Sequence, residues 1–211
     1  EMCIRDRHKT AIVDKNAKEL NGDDILFVLA RDKFENQITL DSKGVVGTIM
    51  TNKGLENSLI KMGVDLVRSD VGDKYVLQKL EELNWDLGGE QSGHIISLDS
   101  SNSGDAIIAA IKFLEAYICS NLPLDQLLKP FIKYPQILTN VKTDNSEKVL
   151  RNKNFKNLLK EISLNLKKYD GRVNVRPSGT EPLIRIMVES KNEKETKAAS
   201  TILSNFVKEL T

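Results

Sequence analysis

The chain is poor in the residues that carry most recognisable chemistry. Among its 211 residues there are two cysteines, Cys3 and Cys119, and two histidines, His8 and His94. Two cysteines make no disulfide scaffold, and no zinc-type Cys/His spacing accompanies them, which fits a reducing interior. No H-E-x-x-H, no G-x-S-x-G elbow and no D-x-D-x-D carboxylate cluster occurs, so zincin, serine-hydrolase and calcium-loop chemistries are excluded. Charge of one sign is missing too: 31 Lys and Arg against 30 Asp and Glu leave a formal +1. That balance gives no electrostatic case for nucleic acid or an anionic membrane as partner. No apolar run approaches the roughly 18 residues of a membrane span, and the N-terminus lacks the apolar stretch of a signal peptide. Six Phe, four Tyr and one Trp leave the core to Ile, Leu and Val. These absences point to a soluble, cytoplasmic α/β protein.

What is present alternates. Period-2 apolar runs interleave with period-3.6 runs, the pattern of an α/β fold. The spacing predicts a helix over Asp23–Arg31, a buried strand over Gly44–Met50, and a helix over Lys53–Met62 with Asn52 as its N-cap. A strand over Asp65–Arg68, a helix over Gly72–Asn84 and a strand over His94–Leu98 follow. Gly104–Ser120 reads as a nearly all-apolar helix and is therefore expected inside a core. Residues 121–135 hold three of the five prolines and read as a connector with one short helix. Beyond it come strands over Gln136–Thr143, Arg172–Arg176 and Leu183–Glu189, and helices over Asn154–Lys168 and Glu193–Leu210. That is a second unit of small-domain size.

Three segments can carry chemistry. In Gly88–His94 (GGEQSGH) the glycines permit a tight turn and close approach of a ligand. If the segment stays extended, Glu90 and Ser92 project to one side, a carboxylate beside a hydroxyl that suits a polyol. The other reading is a plain hairpin turn with exposed polar residues. In Arg176–Pro182 (RPSGTEP) a guanidinium and two hydroxyls, from Ser178 and Thr180, surround Gly179, where backbone amides can converge on an anion. Arg185 can return a second guanidinium to the same place. The other reading is a rigid, proline-bracketed connection between strands. The third segment, Val71–Tyr75, opens a helix with Asp73 and Lys74; an ordinary helix start accounts for it equally well.

Taken together and in order, these segments resemble the bacterial phosphoglucosamine mutases of the α-D-phosphohexomutase superfamily. The resemblance runs from Val13-Asp14 and Gly22-Asp23 through GVVGTIMTNKGLE, VGDKYV, GGEQSGHII and SGDAIIAA to RPSGTEPLIRIMVE, nearly the whole chain. Gln91 points to the glucosamine branch, because phosphomannomutase/phosphoglucomutase relatives usually carry Met there. The resemblance implies the C-terminal part of a four-domain protein. Residues 1–9 would be a non-native leader and 10–38 a remnant of domain 2, its Ile25 and Leu26 partly uncovered. Residues 39–133 would be an α/β domain 3 with a mixed sheet, and 134–211 a small α+β domain 4.

By the same resemblance, Glu90 and Ser92 grip sugar hydroxyls, with Asp73 and Lys74 near the substrate and His94 a possible acid/base neighbour. The family usually has Arg at the Lys74 position, and Lys keeps the charge without the bidentate fork. Arg176, Ser178, Gly179 and Thr180, supported by Arg185, bind phosphate. The ligand implied is a phosphorylated hexosamine. The parent activity implied is an isomerase interconverting glucosamine 6-phosphate and glucosamine 1-phosphate through a phosphoserine and a bisphosphate, on the way to UDP-N-acetylglucosamine. The family's phosphoserine loop is absent from the chain. Of its Mg²⁺ loop, D-G-D-x-D-R, only Asp6-Arg7 remains, so Mg²⁺ is expected in the parent and not in this fragment, which should be inactive alone. The alternatives are a phosphomannomutase/phosphoglucomutase fragment and a non-catalytic phosphosugar-binding module.

Overall fold

The computed structural model describes residues 9–35, 44–101, 103–179 and 181–210, and the chain divides after Ile132 into two units. In the first, a two-stranded antiparallel ribbon, β1 (Ile12–Val13) and β2 (Glu19–Leu20), leads into α1 (Gly22–Glu35). Ile25, Leu26, Phe27, Val28, Leu29 and Ala30 of α1 are all buried. Buried residues cover every face of this stretch, so the helix is surrounded here. It lies in one core with Val45, Leu55, Leu59, Leu87, Phe113 and Phe131. Residues 10–38 were expected to form a separate remnant with Ile25 and Leu26 partly uncovered; both are wholly buried instead. Full burial of such a side chain is worth about 1.5–3 kcal/mol, which ties α1 firmly to this unit.

The unit's sheet has the order β4-β3-β5-β6 and is mixed, as expected. β3 (Gly44–Thr48) is buried at all five positions and runs parallel to β4 (Asp65–Ser69) and β5 (Leu87–Gly89). A β-branched run without polar alternation suits such a strand, covered on both faces. β5 turns back antiparallel into β6 (Ile95–Ser97). The crossovers are α2 (Lys53–Lys61) and α3 (Asp73–Leu83). Asn52 caps α2, its side chain accepting from the Gly54 N–H at 2.9 Å. Glu56 of α2 meets Arg68 of β4 at 2.9 Å and Lys53 at 3.1 Å. Burial works to raise the Glu56 pKa, but the two cations hold it below its ordinary value.

The expectation that Gly104–Ser120 lies inside a core is overturned. α4 (Ala106–Cys119) buries Ala109, Phe113 and Ala116, whereas Ile107, Ile111 and Ile118 are 71%, 59% and 69% exposed and Leu114 shares their face. A helix that is apolar all round packs only the stripe that meets a neighbour. The proline-bearing stretch carries the expected short helix, α5 (Leu124–Leu128), and in addition sends Leu127 and Phe131 into the first core.

In the second unit, β7 (Gln136–Lys142), β8 (Arg172–Pro177) and β9 (Leu183–Glu189) make an antiparallel sheet of order β7-β9-β8. Ile184, Ile186 and Val188 of the central strand pack against Phe155, Leu166, Leu203 and Val207. Those partners come from α7 (Lys153–Lys167) and α8 (Glu193–Glu209); a short α6 (Ser146–Arg151) precedes them.

Candidate functional site

In the first unit the candidate residues meet at the carboxyl ends of the parallel strands β3 and β5, the edge where open α/β sheets bind ligands. The loop between β5 and β6 is not extended. Glu90 N–H donates to the His94 carbonyl at 2.8 Å and Gly93 N–H to the Glu90 carbonyl at 3.0 Å, closing a turn. The alternation proposed for Glu90 and Ser92 therefore does not apply: Ser92 sits exposed at the tip, and Glu90 faces elsewhere. Gly93 takes φ +92°, and a Cβ there would lie 2.4 Å from the Thr10 carbonyl oxygen, so no other residue fits without strain.

Glu90 reaches across to the start of α3, its Oε1 accepting from the Gly72 N–H at 2.9 Å. Gly72 presents that N–H from φ +131°. Asp73 follows, mostly exposed, its Oδ2 3.9 Å from His94 Nε2. Glu90, Asp73 and His94 thus share one neighbourhood. His94 is almost buried, its ring seated against Gly104, and this suits a packing role as well as a contact to ligand. Lys74 is on the surface with its Nζ 5.4 Å from the Tyr75 ring centroid. Two carboxylates, a helix start and a glycine-edged loop form a surface that can exchange hydrogen bonds with sugar hydroxyls.

In the second unit the segment Ser178–Pro182 joins β8 to β9. The hairpin continues past the strands through Ser178 N–H to the Leu183 carbonyl at 2.9 Å. The pairing sets Arg176 directly opposite Arg185, with Asn140 on the other side of Arg185. Like charges facing each other across an antiparallel pair repel, and such a pair favours an anion between or above it. Arg185 Nη2 also donates to Ser178 Oγ at 3.3 Å and reaches Glu181 Oε2 at 3.4 Å. On the same sheet face Arg172 pairs with the buried carboxylate of Glu189, which also accepts from Gln136 at 2.9 Å. One end of this face therefore holds its own anion, and the other sets two cations together.

Gly179 does not take a left-handed conformation, and among the described residues, its chain neighbours aside, no atom lies within 4 Å of where its Cβ would stand. Its freedom leaves open space at the loop and does not curl the amides at this residue. Thr180 lies outside the described residues, as do residues 1–8 with Asp6-Arg7. Among the described residues no three His, Cys, Asp or Glu side chains gather in a group that could hold a metal ion. No helix among them is long and apolar enough to cross a membrane.

Sequence reading missed two features. Asn140 is found only by laying β7 beside β9. The inward direction of the Gln91 side chain, which donates to Asp23 at 3.2 Å, follows from the turn and not from the alternation.

The chain thus holds an α/β unit with a polar loop at its strand ends and, as a separate unit, an antiparallel sheet with a paired-arginine hairpin. The model of the phosphoglucomutase/phosphomannomutase alpha/beta/alpha domain III matches residues 21–134, and that of the C-terminal domain matches 138–200. The chain belongs to the phosphoglucomutase/phosphomannomutase family. It is 43% identical over 205 residues to a phosphoglucosamine mutase of Acinetobacter baumannii and 40% over 204 residues to one of Proteus mirabilis. Each alignment covers 96% of this chain but 44% and 45% of the relative, so the chain spans about half the length of the curated relatives it matches. Among solved structures, N-acetylphosphoglucosamine mutase of Aspergillus fumigatus, in complex with GlcNAc-6P and magnesium, superposes with a TM-score of 0.73 at 19% identity. That likeness covers 93% of this chain and 46% of the other, and it shows the shared fold.

Proposed function

We propose that this chain is the substrate-holding part of a phosphoglucosamine mutase, an isomerase of the cytoplasm that exchanges phosphate between the 6- and 1-positions of glucosamine. The observation that carries the reading is the placement of Arg176 directly across from Arg185 at the end of a hairpin with open space at Gly179. A planar pair of guanidiniums suits a phosphoryl group, because two forks of donors match its oxygens. Glu90, Ser92 and Asp73 supply partners for ring hydroxyls, which both donate and accept. His94 and Lys74 are neighbours of that surface, and Ser178, Gly179 and Thr180 complete the phosphate loop.

A sugar that gains a phosphate at one end and loses it at the other has to bind in two opposite poses. Residues that bind hydroxyls and the idle phosphate serve both. Phosphoryl transfer depends chiefly on positioning and charge neutralisation, and these residues contribute positioning. The nucleophile and a metal such as Mg²⁺ belong to the parent enzyme, so the chain by itself should not turn over. The identity to proteins named phosphoglucosamine mutase favours the amino sugar over the mannose or glucose alternatives.

The test joins this chain behind the upstream half of the Acinetobacter baumannii relative. The expected result is conversion of glucosamine 6-phosphate, abolished by Arg176→Ala, with none by the chain alone. Conversion of mannose 6-phosphate in preference would move the reading to the sister enzyme. A folded fusion without either activity, from a chain that binds phosphosugars, would favour the non-catalytic binding module.

A further inference from the structure

Asp23 is a carboxylate with no exposed surface, in the first turn of α1. Its Oδ2 accepts from the Asn52 backbone N–H at 3.1 Å and from the Gln91 side-chain Nε2 at 3.2 Å. Asn52 ends the turn after β3, and Gln91 lies in the loop after β5, so one oxygen fastens the connections that leave two neighbouring parallel strands. Backbone contacts reinforce the junction: the Gly22 N–H donates to the Gln91 carbonyl at 2.9 Å, and the Thr10 N–H to the Gly93 carbonyl at 2.8 Å. A Cβ at Gly22 would stand 1.9 Å from the Glu90 carbonyl oxygen, which shows how closely the loop rests on the helix start. A buried carboxylate has to be satisfied by donors, and a helix N-terminus is a favourable place for one. Consecutive residues of the loop thus point to different anchors, Glu90 to Gly72 and Gln91 into the protein.

We propose that Gln91 is a positioning residue and not a sugar contact: its amide, held by buried Asp23, sets where Glu90 and Ser92 stand. The proposal rests on the reading of this loop as the sugar-binding element.

The experiment is a charge-swap cycle on the full 211-residue chain, read by amide hydrogen exchange at Glu90 and Gly93 and by titration with glucosamine 6-phosphate and inorganic phosphate. Gln91→Glu sets a second carboxylate against Asp23. It should speed exchange at both amides about tenfold and weaken the phosphosugar about tenfold, in line with the cost of an unmade hydrogen bond to a charged group. Binding of inorganic phosphate, assigned to the Arg176 loop, should not change. Asp23→Asn added to Gln91→Glu removes the clash of two carboxylates and can turn an amide N–H towards residue 91, at the cost of the acceptor that the Asn52 N–H shared. Exchange and affinity should therefore recover at least about half of the loss on a logarithmic scale, as expected when the contact between the two residues is rebuilt and the one to Asn52 is not. A general structural role does not predict rescue by a second substitution at a buried site.

Should Gln91→Glu fail to fold, Gln91→Met removes the donor without adding charge. Faster exchange confined to residues 90–94 then supports the proposal, and wild-type exchange overturns it. Wild-type behaviour of Gln91→Glu, or a double variant no better than the single one, also overturns it. The exchange cycle needs no ligand. If it holds while wild type fails to bind the phosphosugar, the assignment to sugar binding falls and the Asp23–Gln91 anchor stands.

Discussion

Arg176→Met should make the unliganded protein more stable and a worse phosphate binder, two changes of opposite sign from one substitution. Directly opposed residues of an antiparallel pair have Cβ atoms about 5 Å apart, and like charges there cost a few tenths to about 1 kcal/mol. Glu181 offsets part of this at 3.4 Å from Arg185, but it is more than half exposed, and an exposed pair of that kind contributes little. Methionine keeps an alkyl stem on the sheet and removes the charge. The second unit should therefore gain about 0.5 kcal/mol, about 2–4 °C in Tm for a unit of this size. Phosphate affinity should fall about 30- to 150-fold, the equivalent of a charge-assisted interaction of about 2–3 kcal/mol.

Thermal melts at low and high salt give the first quantity. Added salt should stabilise wild type more than the variant, because it screens a repulsion that only wild type has. Amide-shift titration with inorganic phosphate gives the second. Arg176→Lys keeps the charge without the fork, so it should recover part of the binding and none of the stability gain. A variant that melts lower than wild type and titrates like it would make Arg176 a structural residue and refute the phosphate assignment.

Glu90→Gln should weaken glucosamine 6-phosphate several-fold and leave inorganic phosphate unchanged, as a paired titration will show; equal effects on both ligands would count against its role at hydroxyls. Phe113→Ala should cost about 3–5 kcal/mol in denaturant unfolding, whereas Ile111→Ala on the open face of α4 should stay within about 0.5 kcal/mol. At Asp99 burial works to raise the pKa, but hydrogen bonds from Ser97 and Lys112 and the charge of Lys33 bring it down to about 2 from 3.8. A lowered folded pKa means that its contribution is present above pH 4 and lost as pH falls towards 2. Discounted for its exposure, that contribution is about 1 kcal/mol, and Lys112→Met should move the acid loss to higher pH.

Much of the fold was legible because its signals are local. Gly44–Thr48 is a β-branched run bounded by glycine and a capping Asn52, and both ends fall near where residue chemistry puts them. β5 was not legible: Leu87–Gly89 has two glycines and no alternation, and it is a strand only because β3 and β6 pair with it. α1 and α4 show the complementary failure. Both read correctly as helices, but periodicity says nothing about how many neighbours a helix has. α1 is enclosed by residues up to a hundred positions away, while the more apolar α4 leaves one face open.

The candidate residues of the two units differ in the same way. Arg176 and Arg185 lie on strands joined by a short loop, so counting outward from the turn already brings them opposite each other, and the structure pairs them. The sugar loop offered no such count. Its alternation assumed an extended segment, and the turn between Glu90 and His94 redirects every side chain in it. What sets those directions is remote: Asp23 and Asn52 for Gln91, Gly72 for Glu90, Thr10 for Gly93. On the proposed reading the loop holds a sugar in two poses and needs fixed side chains, and the anchors come from four segments far apart in the chain. Specificity at this loop is therefore a property of the packing beneath it as much as of the residues that face the ligand.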